Sequence, residues 1–335
     1  MKNVYFIYNL LIFLCIFSFI HAQTKNGFTS SFVQQPWQNN LQDDSLVSKS
    51  LSDIIINEVM FNHPENGAEY VELYNRTAAW VDCSGFICTT RKGDGSLNTG
   101  VKLPAQTLMP PYSYLAITTD VEAVKNHHAC PDEAVLIELK LSALNNESAS
   151  IILCNADKTI IYDEFQYHSK MHHVLIKNVK GVALERINPD GATQDADNWH
   201  SAANTHHYGT PGFENSQYRA MEFDSAEAEN FDFFYLENEV FTPDNDGVDD
   251  VCLIHYEFPE SGYMFSATIL SAKGGKIYTL AEQVLAASKG RLVWDGRTAQ
   301  GRIANIGIYV LLIEIIYPEK GFRKLKKLPI VLSSQ

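Results

Sequence analysis

Three glutamates lie close together early in the chain, at Glu58, Glu69 and Glu72. Neighbouring carboxylates can act as general acid and base or bind a metal ion, so they are the first candidates for chemistry. Strand alternation argues against catalysis, because Val71 and Leu73 are predicted to face the core and Glu72 therefore points away from it. No nucleophile or base with motif spacing accompanies the glutamates, and we predict that they are structural carboxylates.

Glu58 differs from the other two glutamates in its predicted surroundings. Its strand phase gives it the apolar neighbours Ile54, Ile56 and Met60, unless a β-bulge reverses that phase. A carboxylate among apolar side chains needs a partner, and Arg186 from a later strand is the candidate. A catalytic or metal-binding cluster is the alternative to this structural interpretation.

A second acidic cluster lies in a turn late in the chain. It consists of Asp244, Asp246, Asp249 and Asp250 around Gly247. Calcium binds clustered carboxylate and carbonyl oxygens, and glycine permits the sharp bend that such a loop needs. The spacing is not that of an EF-hand. The alternative to a calcium site is a polar turn whose aspartates cap backbone amides.

Histidines occur as three adjacent pairs, His127-His128, His172-His173 and His206-His207. Adjacent residues on a strand point to opposite faces, so each pair offers at most one ligand to a given site. No HExxH or comparable spacing is present. We predict exposed loop histidines, with zinc binding as the alternative.

Cysteine usage implies no disulfide framework, because the cysteines after the N-terminal apolar run are irregularly spaced. Cys83, Cys154 and Cys252 stand at apolar strand positions and are predicted to be small buried hydrophobes. Cys83 and Cys88 could instead pair in an oxidising compartment. The chain also lacks a nucleophile elbow, a phosphate-binding loop and a dinucleotide fingerprint.

The first residues are typical of a secretory signal peptide, which we place at 1–22. Lys2 supplies the positive start, Tyr5–Ile20 is almost entirely apolar, and cleavage is expected after Ala22. The run is shorter than the ~20 residues that a membrane span needs, so we expect no integral span after cleavage. The predicted location is secreted or on the outer cell surface.

Length and charge limit the remaining possibilities. The 335 residues are enough for two domains, and the formal net charge of −14 repels phosphate, so no nucleic-acid partner is expected. Short alternating runs separated by turns predict an all-β fold of sandwich type. We predict a polar linker at 23–53, a first domain at 54–214, an acidic linker at 215–235 and a second domain at 236–335.

Several motifs of the first predicted domain agree in order with one family. They are I-N-E-V at 56–59, E-Y-V-E-L-Y-N at 69–75, V-D-C-S-G-F at 81–86, A-L-E-R at 183–186, D-N-W at 197–199 and G-T-P-G at 209–212. Together they resemble the lamin tail domain. The resemblance implies an immunoglobulin-like β-sandwich that acts as a binding module. Cys83 replaces the family's leucine, and 123–131 is an insertion.

The second predicted domain resembles another family. Its motifs are F-T-P-D-N-D-G-V-D-D at 241–250, W-D-G at 294–296 and G-I-Y at 307–309. They are similar to the immunoglobulin-like domain of the flagellar hook-capping protein and of the C-termini of many surface proteins. In gliding Gram-negative bacteria, similar C-terminal domains serve as type IX secretion signals. The resemblance implies a spacer or a sorting signal.

These expectations combine into two immunoglobulin-like β-sandwiches in tandem, forming a non-enzymatic binding or structural protein. Its expected partner is a surface protein or polysaccharide. The basic segment Lys320–Lys327 is predicted to be a strand edge whose lysines prevent unwanted pairing. The alternative is that it contacts acidic glycan, lipid headgroups or the secretion machinery. The alternative is a metal-dependent extracellular hydrolase or its accessory module, since bacterial lamin tail domains often accompany nuclease or phosphatase domains. Against this, the two sandwiches and linkers leave no room for a separate catalytic domain.

The calcium hypothesis has a direct test. If Asp244, Asp246, Asp249 and Asp250 bind calcium, the ion stabilises the folded state, so calcium raises the melting temperature and a chelator lowers it. Thermal unfolding followed by circular dichroism measures both. An unchanged melting temperature with chelator would contradict the site.

Overall fold

The computed structural model describes residues 47–48, 53–219 and 232–334. All of them belong to one compact unit, Asn40–Gln335. The predicted signal peptide lies outside the described residues, as do most of the two predicted linkers. Among the described residues, no helix has the length and apolar composition needed to cross a membrane.

The first part of the described chain, up to residue 219, consists almost entirely of strands. They are β1 (Val47–Ser48), β2 (Ile54–Met60), β3 (Tyr70–Asn75), β4 (Trp80–Asp82), β5 (Ile87–Thr90), β6 (Val101–Lys102), β7 (Leu108–Met109), β8 (Tyr114–Thr118), β9 (Leu136–Glu138), β10 (Ser148–Cys154), β11 (Ile161–His168), β12 (Leu184–Arg186) and β13 (Trp199–Ser201). One α-helix, α1 (Val121–His127), lies in this part; Asp120 caps it by accepting a hydrogen bond from the Ala123 amide at 2.9 Å. Short 3-10 turns occupy Ser169–Met171, Ala196–Asn198 and Asn204–His206.

Three sheets build this part. The largest has six strands in the order β13-β12-β2-β3-β8-β9, and a four-stranded sheet, β11-β10-β5-β6, packs against it through β11 and β2. A small third sheet has the order β1-β4-β7. Every residue of β2 is buried, so this central strand is covered on both faces. Strand alternation therefore does not separate core from solvent at the centre of the sheet.

A β-bulge at Asn57 interrupts the pairing of β2 with β3. The register shifts between Ile56 and Glu58, which leaves Asn57 without a paired residue on β3. Beside the bulge, the Ile56 amide donates to Asp163 Oδ2 at 2.8 Å, and Arg186 Nε donates to the Ile56 carbonyl at 2.8 Å. Two charged side chains thus bind the backbone next to the bulge.

Arg186 does not pair with the glutamates, contrary to prediction. Its guanidinium forms a buried ion pair with Asp163 at 3.1 Å and lies over the ring of Trp199 at 4.9 Å. Trp199 stacks in turn on Phe165, with ring centroids 3.6 Å apart. Because Asp163 and Phe165 belong to β11 while Arg186 belongs to β12, this arrangement joins the two larger sheets.

The second part, from residue 232, is also built of strands. They are β14 (Phe234–Leu236), β15 (Val240–Phe241), β16 (Cys252–Glu257), β17 (Met264–Ser271), β18 (Lys276–Leu285), β19 (Lys289–Trp294), β20 (Gly307–Tyr317) and β21 (Phe322–Leu332). They form a three-stranded sheet, β14-β16-β19, and a five-stranded sheet, β15-β21-β20-β17-β18. A 3-10 turn, Pro318–Lys320, connects β20 to β21.

Aromatic side chains dominate the core between these two sheets. Phe234 and Phe265 meet edge to face at 5.2 Å, and Phe258 stacks on Tyr263 at 4.8 Å. Such pairs contribute about 0.5–1.5 kcal/mol each beyond the area they bury. The alternating burial along β16 and β20 places their apolar residues in this core. The predicted all-β fold with immunoglobulin-like sandwiches is confirmed.

The two parts contact each other through loops rather than through a shared sheet. Within the described chain, strands β1 to β13 pair only with one another, and so do β14 to β21. The Ser288 amide donates to the Ser216 carbonyl at 2.8 Å, and Gln217 Nε2 donates to the Ala286 carbonyl at 3.0 Å. Arg219 also donates to the carbonyl of Phe258. The domain boundaries given above stay predictions.

The ion pair between the sheets leads to a stability prediction. Arg186→Lys keeps the charge but loses the planar fork and the stacking on Trp199, so we expect the free energy of unfolding to fall by about 3 kcal/mol. Urea denaturation at neutral pH measures the change. The control is Arg302→Lys at an exposed position, which we expect to match the parent protein. Equal stability of the Arg186 variant would contradict the proposed linking role.

Candidate functional site: a buried carboxylate cluster

Three glutamates form a row across the centre of the six-stranded sheet. Glu58 on β2 lies opposite Glu72 on β3 and opposite Glu185 on β12. All three side chains are fully buried. The prediction that Glu72 points away from the core was wrong, because both faces of this sheet are covered. Sequence reasoning also missed Glu185, although the A-L-E-R motif contains it.

Glu58 and Glu72 are each held by two kinds of donor. Glu58 Oε1 accepts from the Tyr70 hydroxyl at 2.8 Å and from the Thr210 amide at 3.0 Å. Glu72 accepts from Asn57 Nδ2 at 2.9 Å and from the Gly212 amide at 2.6 Å. Each of the two carboxylates therefore accepts a hydrogen bond from a neighbouring strand and another from the 209–212 turn.

Glu185 is bound by Thr210 of the same turn and by two residues that follow it. Its Oε1 accepts from Thr210 Oγ1 at 2.8 Å, and its Oε2 accepts from Ser216 Oγ at 2.7 Å and the Gln217 amide at 2.9 Å. The segment 210–217, hereafter the closing segment, thus supplies donors to all three glutamates. A Cβ at Gly209 would lie 2.6 Å from both Tyr70 Oη and His128 Nδ1, so only glycine lets this segment approach.

Burial and mutual repulsion keep protons on this cluster. Burial raises the pKa of Glu58 well above its ordinary value, and the charges of Glu185 and Glu72 raise it further. Burial raises the pKa of Glu72 to about 8, against the opposing hydrogen bonds from Gly212 and Asn57. Burial also raises the pKa of Glu185. Carboxylates this close cannot all ionise together.

The cluster is not arranged for catalysis. None of its carboxylates reaches solvent, and protein donors occupy their oxygens. The groups of ligand atoms that lie close enough to hold a metal ion, among the described residues, do not include these glutamates. The row of Glu58, Glu72 and Glu185 therefore has a structural role: its hydrogen bonds hold the strands and the closing segment together.

Glu69 lies apart from this row and has a separate role. It is partly buried, and its Oε2 accepts from the Leu144 amide at 2.9 Å, which ties a loop to the start of β3. Burial raises its pKa, and the hydrogen bond from Leu144 opposes the rise. The predicted cluster of Glu58, Glu69 and Glu72 thus divides into two sites.

Several histidines are buried, so the prediction of exposed loop histidines was wrong for His128, His172 and His173. His128 Nδ1 lies 3.1 Å from the carbonyl of His207, and its ring meets Tyr70 edge on. Burial lowers the pKa of His128 and of His172 to about 4. His207 is exposed, as predicted.

The aspartate turn has the hydrogen bonds of a self-capped loop. Asp244, Asp246 and Asp250 bring one oxygen each within 4.8 Å of the others, whereas Asp249 accepts from Asn238 at 2.6 Å. Asp250 accepts from the Gly247 amide at 2.8 Å, and its neighbours cap the turn in the same way. Calcium binding stays a prediction.

None of the described cysteines forms a disulfide bond. Cys83, Cys154 and Cys252 are fully buried, as predicted. Cys88 is buried as well and is not paired with Cys83. Burial raises the pKa of Cys88 to about 12, which suppresses its thiolate form.

Comparison with known families agrees with part of the sequence resemblance. The Lamin Tail Domain model matches residues 48–169. This range contains Glu58, Glu69 and Glu72 and ends before Glu185. The lamin tail domain is an immunoglobulin-like module without catalytic activity of its own. No curated protein matches the chain.

Three solved structures show distant likenesses to this chain. The periplasmic chaperone SfaE has 12% identity and a TM-score of 0.22, with 30% of this chain and 57% of the chaperone covered. PorZ, a surface component of the type IX secretion system of Porphyromonas gingivalis, has 12% identity and a TM-score of 0.26, with 81% and 30% covered. The exo-chitosanase CsxA of Amycolatopsis orientalis has 11% identity and a TM-score of 0.20, with 81% and 26% covered. The chain thus spans less than two thirds of each, and TM-scores of this size do not establish a common fold.

The buried glutamates predict how stability changes with pH. The pKa of Glu72 is about 8 in the folded protein and near 4.5 when unfolded, so the unfolded chain loses its proton first as pH rises. The free energy of unfolding therefore decreases between about pH 4.5 and pH 8, by up to about 1.4 kcal/mol per pH unit from this group. We expect Glu72→Gln to flatten that decrease, as measured by urea denaturation across pH 5–9.

Exposed Glu282→Gln is the matched control and should follow the parent curve. Parallel curves for the Glu72 variant and the parent protein would show that the carboxylate does not hold its proton.

Proposed function

We propose that this chain is a secreted or cell-surface protein without enzymatic activity. Its lamin-tail-like sandwich acts as the binding module, and its C-terminal immunoglobulin-like sandwich acts as a spacer or as a sorting signal for the secretion machinery. The partner is a surface protein or polysaccharide. The proposal rests on one observation. Glu58, Glu72 and Glu185 are fully buried in the lamin-tail-like sheet, where they stabilise the fold. That leaves the outer surface of this module, rather than a reactive centre, as the means of recognition.

The geometry of β21 supports a role in sorting. Within the described residues, β15 pairs with β21 at Val331 and Leu332, and no other strand pairs along that edge of β21. An open edge can accept an added strand from another protein, which is a common mode of peptide recognition. Pro329 lies in the open part and lacks a backbone donor, which limits uncontrolled pairing.

The basic side chains of β21 divide between its two faces. Lys326 binds Asp232 and the carbonyl of Phe234, and Lys324 lies over the ring of Phe233 at 5.2 Å. These two lysines pack against the protein itself. Arg323 and Lys327 are both exposed, but Arg323 forms an ion pair with Glu314 at 2.5 Å. Lys327 is therefore the basic residue of β21 that is most available to an acidic partner.

Localisation of the full chain in its native host tests this proposal. We expect the protein at the cell surface or in the medium, with a mature N-terminus at Gln23. Cell fractionation, protease treatment of intact cells and mass spectrometry of the termini measure this. Recovery of the uncleaved chain in the cytoplasm would contradict it.

A charge reversal separates the sorting role from the spacer role. Lys327→Glu reverses the exposed basic charge of β21 without breaking the ion pair between Arg323 and Glu314, and we expect the variant to accumulate in the periplasm. Lys276→Glu makes the same charge change at an exposed hairpin of the same sheet and should reach the surface normally. Normal display of the β21 variant would contradict sorting through this edge.

A further inference from the structure

A pocket of about 830 Å³ lies where the two parts of the chain meet. The first part contributes His172, His173 and His200 to its walls, and the second part contributes Glu260 and Glu319. It is separate from the buried glutamate row, and the proposed function does not use it. Its polar groups therefore need an explanation of their own.

The histidine nitrogens on this wall are unusual because they are buried and unsatisfied. Nε2 of His173 and Nε2 of His200 have no hydrogen-bond partner among the described residues. His173 Nδ1 accepts a long hydrogen bond from the Leu175 amide at 3.4 Å, so metal binding through Nε2 requires this bond to be lost. His173 itself is only 3% exposed. Buried polar atoms without partners are rare in folded proteins, and a missing ligand is one established reason for them.

The surroundings of His200 prepare its Nε2 atom for a metal ion. Its Nδ1 lies 3.1 Å from the Ser201 carbonyl, an acceptor, so Nδ1 carries the proton and Nε2 keeps a free lone pair. Metal-bound histidines characteristically make such a bond through the second nitrogen.

A carboxylate completes the group from the opposite side of the pocket. Glu319 belongs to the 3-10 turn between β20 and β21, and ligand atoms of His173, His200 and Glu319 all lie within 4.8 Å of one another. Ligands on tetrahedral zinc are about 3.3 Å apart, so binding requires a movement of roughly an ångström. Glu319 is exposed and can make that movement.

We propose that His173, His200 and Glu319 bind a divalent transition-metal ion, with zinc as the best-suited ion, at the junction of the two sandwiches. Two imidazoles and one carboxylate are a regular zinc ligand set and leave a fourth position for water. The hard cation calcium prefers oxygen ligands alone, so this site differs in kind from the aspartate turn. Bound metal joins residues that precede and follow the segment 220–231, and so fastens one sandwich to the other.

Glu260 provides an internal control because it lines the same pocket. Its carboxylate is already engaged, with Lys320 Nζ at 2.6 Å and the Tyr317 hydroxyl at 3.3 Å. It is therefore available to a metal ion less readily than Glu319. Glu260→Gln removes one negative charge from the pocket without removing a proposed ligand.

Isothermal titration of zinc into the chelator-treated, dialysed full chain tests the proposal. We expect one zinc ion per chain and a higher melting temperature with zinc. His200→Gln and Glu319→Gln should each weaken binding by more than about tenfold, while Glu260→Gln and exposed His63→Gln should not. Cobalt in place of zinc should give the visible absorption of a tetrahedral site.

Three results would overturn the proposal. They are no zinc binding by the parent chain, binding unchanged in both His200→Gln and Glu319→Gln, or an equal loss in Glu260→Gln. Since Glu319 is exposed, its substitution leaves the fold intact, and a loss of binding in that variant reports on the ligand itself.

Discussion

Burying three carboxylates side by side is the constraint on which the first sandwich depends. Glu58, Glu72 and Glu185 can occupy the sheet centre only if protein donors replace the water they lose. The closing segment supplies most of these donors, and it reaches them because Gly209 has no side chain. The pairing of β2, β3 and β12 and the path of the chain after β13 are therefore parts of one arrangement.

The bulge at Asn57 connects this row to the rest of the core. It brings Glu58 opposite Glu72, and the backbone of the adjacent Ile56 is bound by Asp163 and Arg186. The acidic row within one sheet and the ion pair between two sheets therefore meet at one inserted residue. Such bulges are specific features of a fold rather than irregularities.

The sequence shows which segments alternate as strands, but it does not show whether one or both faces of a sheet are covered by other parts of the protein. Alternation along β3 correctly indicates a strand, but it cannot tell whether the second face is open to water, and Glu72 was misjudged for this reason. Glu185 stood within a recognised motif, yet nothing local indicated that it joins Glu58. His173, His200 and Glu319 come together only through the meeting of two sandwiches, and contacts between residues so distant in sequence leave no periodic signal. Helix capping by Asp120, in contrast, is a local interaction of the kind that sequence reasoning treats well.

The position of the closing segment also affects the order in which the first sandwich can fold. The hydrogen-bond donors of this segment follow every strand of the first sandwich in sequence. A chain that ends at Ser201 therefore contains Glu58, Glu72 and Glu185 but few of the groups that bind them. Burying these polar groups without hydrogen-bond donors costs free energy, so the row resists burial until residues 210–217 are in place. The first sandwich therefore completes its core only after its last turn has been added.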